Sequence, residues 1–316
     1  MKIAIIGGGE GMLVLPDALQ EWCKNVVCFY SDRHSTEIIN GVNLSDALEA
    51  NEVENYLVHD DLEFRNLLVG KNFDLVLGLG PAWIFHKDTL SLAKQWVNIN
   101  VIPAPKFLGG AHLSWQILNN VFDSSVVYQQ IDMNIDRGPI LAKFDFEYTH
   151  KETKSPYLML KRNIFELVRS LKIWMNSLGE HKITLDYSQS EYWPRLLSSI
   201  HGWIDWNWNS HELIQFIQAF GSPYGGARCL FADSEVILLE AEVIEKRTIH
   251  PFASGIILRC EGDDYLVIAS RDGIMRIKCL GISEIKKSTM LGQRLFTPES
   301  KLKEARMKNV SARELN

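Results

Sequence analysis

The sequence predicts an α/β chain of two domains: a mostly parallel sheet with helices on both faces, followed by a small C-terminal β-barrel. Three observations predict it. At 316 residues the chain exceeds what one hydrophobic core usually supports. Its first half alternates continuous apolar runs with helically spaced apolar residues, the pattern of strands buried on both faces and linked by helices. Its last third carries short alternating segments separated by turn residues, the pattern of a barrel or sandwich.

The elements follow in order. Lys2 to Gly7 reads as a strand ending in glycines, and Leu13, Leu15, Leu19 and Trp22 place a helix over Met12 to Trp22, the opening of a βαβ unit. Val26 to Tyr30 is a second strand, Leu62 to Val69 a helix, Phe73 to Leu79 a buried strand, Thr89 to Gln95 part of a helix, and Trp96 to Val101 a further strand. Leu113 to Asn119 reads as a helix, with Ser125 to Ile131 and Ile140 to Tyr148 as a strand pair. Leu160, Ile164, Leu167, Val168, Leu171, Trp174 and Met175 fit one long amphipathic helix from Ser155 to Leu178, which closes a first domain of residues 1–180. Residues 181–209, rich in Trp, Ser and Asn, read as an irregular linker.

The second domain, 210–298, opens on a helix capped by Ser210 and running through Phe220. Cys229 to Phe231, Val236 to Val243, Gly255 to Cys260, Tyr265 to Ala269 and Met275 to Ile282 are its expected strands. The charged tail, 299–316, is expected to fray.

Composition is that of an ordinary soluble protein, 46% hydrophobic and 23% charged. No charged-then-apolar leader follows Met1, and no apolar stretch approaches the roughly 20 residues that span a bilayer, so a cytoplasmic protein without a membrane partner is expected. The five cysteines, Cys23, Cys28, Cys229, Cys260 and Cys279, are scattered and form no Cys-x-x-Cys pair; neither a metal site nor a disulfide framework is expected. A formal net charge of −6 disfavours a nucleic-acid-coating protein.

The opening Gly7-Gly8-Gly9-Glu10-Gly11, with Asp32 near the end of the next strand, keeps an NAD-dependent oxidoreductase among the readings. The dinucleotide fingerprint fails at its third glycine, where Met12 stands. A plain strand-to-helix turn is the preferred reading of those glycines.

The most informative stretch runs from Val97 to His112. Asn98 stands at a strand end, Pro105 in the following loop, Gly109-Gly110 in a turn and His112 at the start of a helix carrying Trp115 and Gln116. A strand then leads to Ile131-Asp132-x-x-Ile135-Asp136-x-Gly138. This succession resembles the active site of 10-formyltetrahydrofolate-dependent formyltransferases, whose strand and loop read Asn-x-His-x-Ser-Leu-Leu-Pro-x-Tyr-Arg-Gly before a later Asp-x-Gly. The resemblance continues through Ile204-Asp205-Trp206, the segment Ala219 to Ala227 and Asp272-Gly273, which look like the second domain of methionyl-tRNA formyltransferases and of formyltransferases acting on nucleotide-linked amino sugars. It implies a Rossmann-like first domain, an OB-like barrel, 10-formyltetrahydrofolate as co-substrate and no metal.

Formyl transfer passes through a tetrahedral oxyanion and must move the amine's proton. The resemblance makes Asn98 the oxyanion donor and Asp136 the acidic partner. It also places Asn100 where the family has its histidine, and puts Ile102 and Leu108 in place of the usual Ser and Arg. An amide does not take up and release a proton near neutral pH. Three readings stay open: His112 carries the proton; the amine attacks unaided with water or Asp136 removing the proton later; or the chain binds folate or nucleotide without catalysis.

The expected folate cradle is the loop after the Phe73 to Leu79 strand, with Leu77, Gly78, Gly80, Pro81, Trp83 and Ile84 as cofactor-binding residues and Asp132 alongside. Methionyl-tRNA formyltransferases carry a basic insertion after the second strand, whereas residues 31–55 here set Asp32, Glu37, Asp46, Glu49, Glu52 and Glu54 against Arg33 alone. A nucleotide-linked amino sugar therefore ranks ahead of methionyl-tRNA as acceptor, with a second copy of the chain the other partner considered. Trp193, Trp203, Trp206 and Trp208 fit a seam between domains better than a stacking platform for a sugar or base.

Overall fold

A computed structural model of the chain describes residues 1–133, 138–177, 183, 186–282 and 287–310. Its first half is a seven-stranded sheet ordered Ile140–Glu147, Asp123–Gln130, Ala93–Val101, Phe73–Leu79, Ile3–Gly7, Val26–Tyr30, Glu54–Leu57. The last five of these run parallel, and the first two are antiparallel additions. All five residues of Ile3–Gly7 and of Val26–Tyr30 are buried, which is why those strands read as continuous apolar runs. One face packs Ile3, Ile5, Leu75, Leu77, Val97 and Ile99 beneath the long helix Pro156–Asn176. The other packs Ala4, Ile6, Val76 and Trp96 against Phe64 and Phe85.

The long helix starts where its sequence dictates. The Ser155 hydroxyl accepts from Leu158 N at 3.3 Å, and Pro156 occupies the first turn, where its missing N–H costs nothing. Leu167, Leu171, Trp174 and Met175 then lie on the sheet.

Four expectations change. The helix expected over Thr89 to Gln95 is confined to Lys87–Leu90, because the ladder from Phe73 captures the chain at Ala93 and Gln95. Residues 181–209 are less irregular than their composition suggests: Tyr192–Trp193 pairs in parallel with Leu108–Gly109, and Ser198–His201 is a helical turn. The cap of the helix Ser210–Ala219 is Asn209, whose side chain accepts from Glu212 N while the Glu212 carboxylate accepts from Asn209 N, a reciprocal box. Ser210 instead donates from its backbone N and its Oγ to the Asp272 carboxylate, at 2.7 and 3.0 Å.

The fourth change is at the charged end, where Glu299–Met307 is a helix. Its single apolar anchor, Leu302, is buried, and Lys301 lies over the Trp203 ring. One anchor leaves no periodic signal in the sequence. Residues 311–316 lie outside the described part.

The second domain is one six-stranded antiparallel sheet, Ile257–Glu261, Tyr265–Ser270, Gly273–Leu280, Ser234–Lys246, Ala227–Phe231, Leu295–Phe296. It curls until its ends meet: Leu295 N donates to Gly255 O and Ile257 N to Gln293 O. Ser210–Ala219 plugs it with Leu213, Phe216 and Ile217, and the same apolar cluster runs on to Leu113 and Ile117 of the helix His112–Leu118. The Ser114 hydroxyl donates to Ala219 O at 2.7 Å across that contact. The barrel therefore braces the helix that begins at His112.

Candidate active site

Strand order in the parallel part reverses between Ile3–Gly7 and Phe73–Leu79, and ligands of such sheets bind at the carboxyl ends of the strands beside that reversal. The chain places three groups there: the glycine turn after Gly7, the loop after Leu79, and the end of Ala93–Val101. Asn98 and Asn100, two residues apart on that last strand, project from the same side of the sheet.

Asn98 Nδ2 donates to Asn100 Oδ1 at 3.2 Å. That bond fixes the Asn100 amide with its NH2 turned away from Asn98. Asn98 Oδ1 is buried without a partner among the described residues. It sits 2.9 Å from where a Cβ on Gly78 would lie, so any side chain at that register position, where Gly78 pairs with Asn98, would push the amide aside.

Asn100 lines a cavity of about 70 Å3 together with Pro105, Gly109, His112, Val127 and Gln129. A water in the liquid occupies about 30 Å3. The cavity is therefore small, with room for a small polar group beside Asn100 and His112. His112, on the same wall, has a buried Nδ1 with no partner among the described residues. Burial, reinforced by the charge of Arg195, pushes its imidazole down to about 4. The ring is neutral at physiological pH, and its proton affinity is low.

The turn that delivers His112 depends on Gly109. Its φ is +102°, and a Cβ there would lie 2.3 Å from Trp193 O. The Phe107 ring stacks on Trp193 at 5.4 Å, and Arg195 packs along Gly110. Gln129, which sequence reasoning missed, stands opposite Asn98 in the antiparallel ladder and donates from Nε2 to Gly138 O at 2.9 Å. Its only sequence signal was its place on the strand Asp123–Gln130.

Around the glycine turn, Glu37 Oε2 accepts from Gly9 N at 2.7 Å. A carboxylate thus occupies the backbone donor that a dinucleotide's pyrophosphate would use, which removes the NAD reading of Gly7 to Gly11. Burial raises the Glu37 carboxyl against the opposing pull of Gly9 N–H and Arg33. His34, beside Gly8, shares a hydrogen bond at 3.0 Å between Nδ1 and Ser31 Oγ, and burial with Arg33 pushes it down to about 4. The guanidinium of Arg33 is itself pushed down, by burial first and then by the Arg195 charge. Two arginines 162 positions apart in sequence therefore share one electrostatic neighbourhood, and His112 lies within reach of the second.

The other expected site residues fall as follows. Leu77 is fully buried in the sheet core, so only its backbone is available to a ligand. Gly80 is exposed with nothing within 4 Å of a Cβ, Pro81 follows it, and Ile84 is 63% exposed. Trp83 is half-buried edge-on to Phe64, and its indole N–H has no partner among the described residues. Asp132 lines a separate depression with Asp74, Lys94 and Trp96 rather than the Asn100 cavity. Asp136 lies outside the described residues. Among those described, no cluster of metal-ligating side chains is found.

Residues 197–296 match the family described as "Formyl transferase, C-terminal domain". The chain is 24% identical over 225 residues to the methionyl-tRNA formyltransferase of Clostridium tetani, covering 70% of each protein. It is 28% identical over 221 residues to that of Rickettsia africae, covering 69% of each. Among solved structures, its fold is similar to WlaRD, a sugar 3N-formyl transferase, with a TM-score of 0.61 and 18% identity over 89% of this chain and 98% of that one. HypX from Aquifex aeolicus matches with a TM-score of 0.59 and 16% identity over 87% of this chain, which spans only 45% of HypX. The curled barrel plugged by its helix and these relatives agree: residues 197–296 form a formyl transferase C-terminal domain, and the chain as a whole is similar to enzymes that transfer formyl groups.

Proposed function

We propose that the chain moves a formyl group from 10-formyltetrahydrofolate to the primary amine of a nucleotide-linked amino sugar. The observation that carries the chemistry is the small cavity shared by Asn100 and His112, backed by the Asn98 amide. The amine nitrogen attacks the formyl carbon, the carbon's bond to folate N10 breaks, and one proton passes from the amine to N10. The Asn98 and Asn100 amides act as one unit that offers N–H to the oxyanion. His112 is neutral at rest and becomes imidazolium when it receives the amine's proton from an intermediate that is itself acidic. Its low basicity then makes the imidazolium a strong acid toward the leaving nitrogen.

The folate fits the loop after Leu79. Exposed Gly80 and the half-buried Pro81 offer backbone at close range, Ile84 an apolar surface and Trp83 a buried indole N–H without a partner among the described residues. When bound there it supplies the formyl carbon; the chain's own residues orient it and exclude water. The acceptor reading is supported by Arg33 and Arg195, like charges drawn together with the acidic surface of residues 32–54 around them. Such a pair suits a compact diphosphate better than a tRNA acceptor stem. WlaRD and the N-formyltransferase of Helicobacter canadensis, solved with dTDP and with dTDP-3-aminofucose respectively, are relatives of that kind.

The test is turnover of 10-formyltetrahydrofolate against a panel of nucleotide-linked amino sugars, with methionyl-tRNA as the competing acceptor. Saturable formylation of a sugar is expected, and formylation of methionyl-tRNA alone overturns the acceptor assignment. Full activity in both Asn98→Ala and Asp136→Ala removes the site assignment.

A further inference from the structure

The tryptophans singled out in the sequence do more than close a seam. Trp206 is buried within the apolar cluster joining the domains. Trp193, Trp203 and Trp208, with Trp115, Phe216 and Phe220, instead wall a cavity of about 450 Å3 between the outer side of the helix His112–Leu118 and the C-terminal helix Glu299–Met307. That volume lies within the range of small-molecule sites, about 300–1,000 Å3. It is several times the Asn100 cavity and lined by different residues.

The polar side chains on this cavity are few: Asn119, His201, Asn309 and the two cations Arg306 and Lys308. Arg306 reaches Asp205 Oδ2 through Nη2 at 2.9 Å, which leaves other N–H groups of its planar fork for a ligand. Lys308 is exposed at the rim, where its backbone oxygen accepts from the His201 ring and holds the chain end in place. Asn119 also lines the cavity. Aromatic walls take a planar ring by stacking, and a guanidinium with an ammonium at the mouth takes an anion attached to it.

We infer that this cavity binds a nucleoside monophosphate or a ligand of that chemistry, a planar base with an appended phosphate, as an effector rather than a reactant. The effector role follows from what the cavity leans on. Trp115 and Trp193 meet at 4.8 Å, and Trp193 stacks on Phe107 in the loop that leads through Gly109 to His112. An occupant stacked on Trp193 therefore presses on the support of that loop from behind. The inference is independent of which amine the chain formylates.

The test is titration of the full chain with UMP, AMP and uridine, read by quenching of tryptophan fluorescence and by calorimetry. One saturable site for the two monophosphates is expected, at least tenfold weaker for uridine. Trp208→Leu and Lys308→Glu should each weaken it about tenfold, and the second variant alters only an exposed side chain. Asn100→Ala should leave the affinity unchanged. Absence of saturable binding, equal affinity for uridine and UMP, or loss of binding in Asn100→Ala with retention in both Trp208→Leu and Lys308→Glu overturns the inference.

Discussion

Replacing Gly78 by alanine tests whether the paired amides act as a unit. The new Cβ would lie 2.9 Å from Asn98 Oδ1 and at an ordinary 3.5 Å from Ile131 Cδ1 and Pro81 Cδ. Since close contacts relax to about 3.4 Å, the Asn98 amide must retreat by roughly 0.5 Å. Its bond to Asn100 is already 3.2 Å, so that retreat breaks or misaligns it. Misplacement on the order of 1 Å costs up to about 100-fold in rate. We expect a fall in kcat of about 10- to 100-fold with little change in KM for folate. Stability should change by less than about 1.5 kcal/mol, because a small overpacking strain is offset by the lost backbone freedom of glycine. The assay is steady-state turnover beside urea unfolding, for the single variants and for Gly78→Ala combined with Asn98→Ala. Because the alanine acts through Asn98, it should add nothing once Asn98 is removed. Unchanged kcat in a well-folded Gly78→Ala, or fully additive losses in the double variant, refutes the reasoning.

Other expectations follow from the same geometry. Asn98→Ala and Asn100→Ala should each lower kcat by about 100- to 1,000-fold, the usual loss of an oxyanion donor, as measured in single-turnover assays. His34 is 2% exposed and titrates near 4 in the folded chain against about 6.5 unfolded, so the unfolded state binds more protons between those values. Its contribution is fully present above pH 6.5 and is lost as pH falls toward 4, about 3 kcal/mol in all; denaturant melts across that window should show a shallower slope in His34→Gln. Asn209→Ala removes one side of the reciprocal box and should lower stability by about 1 kcal/mol, seen as a drop of about 2–4 °C in Tm.

The elements legible in the sequence are those whose burial is uniform. Phe73–Leu79 and Val26–Tyr30 are found to the residue, since a strand covered on both faces leaves an apolar run, unbroken in Val26–Tyr30 and interrupted only near its start, at Asp74, in Phe73–Leu79. The edge strand Glu54–Leu57 was missed because it is half-exposed and carries Glu and Asn. The hairpin of Ile38–Ile39 with Val42–Asn43 and the helix Leu44–Ala50, in the same acidic stretch, are too short to leave a periodic signal. At the site the contrast is sharper. Asn98, Asn100 and His112 are close in sequence, so a motif holds them together. Gln129, His34, Arg33 and Arg195 reach the same region only through sheet order and the return of the chain along Gly109–Gly110. No spacing rule encodes that.

The placement of Asn100 bears on how one histidine's work is divided. An imidazole at position 100 would have to accept from Asn98 through one nitrogen and keep the other for the substrate, whereas the amide accepts with its oxygen and donates with its nitrogen at no protonation cost. Asn100 therefore suits the oxyanion better than the proton. On the proposed function the proton goes to the neutral ring of His112, which lines the same small cavity as Asn100. His112→Gln keeps a polar side chain of similar reach and removes the base. If His112 carries the proton, kcat in that variant falls about 100-fold, KM holds, and a small added amine or imidazole recovers part of the rate. If the variant turns over at the native rate across pH 6–9, the amine attacks unaided, and His112 is only a packed ring at a helix start.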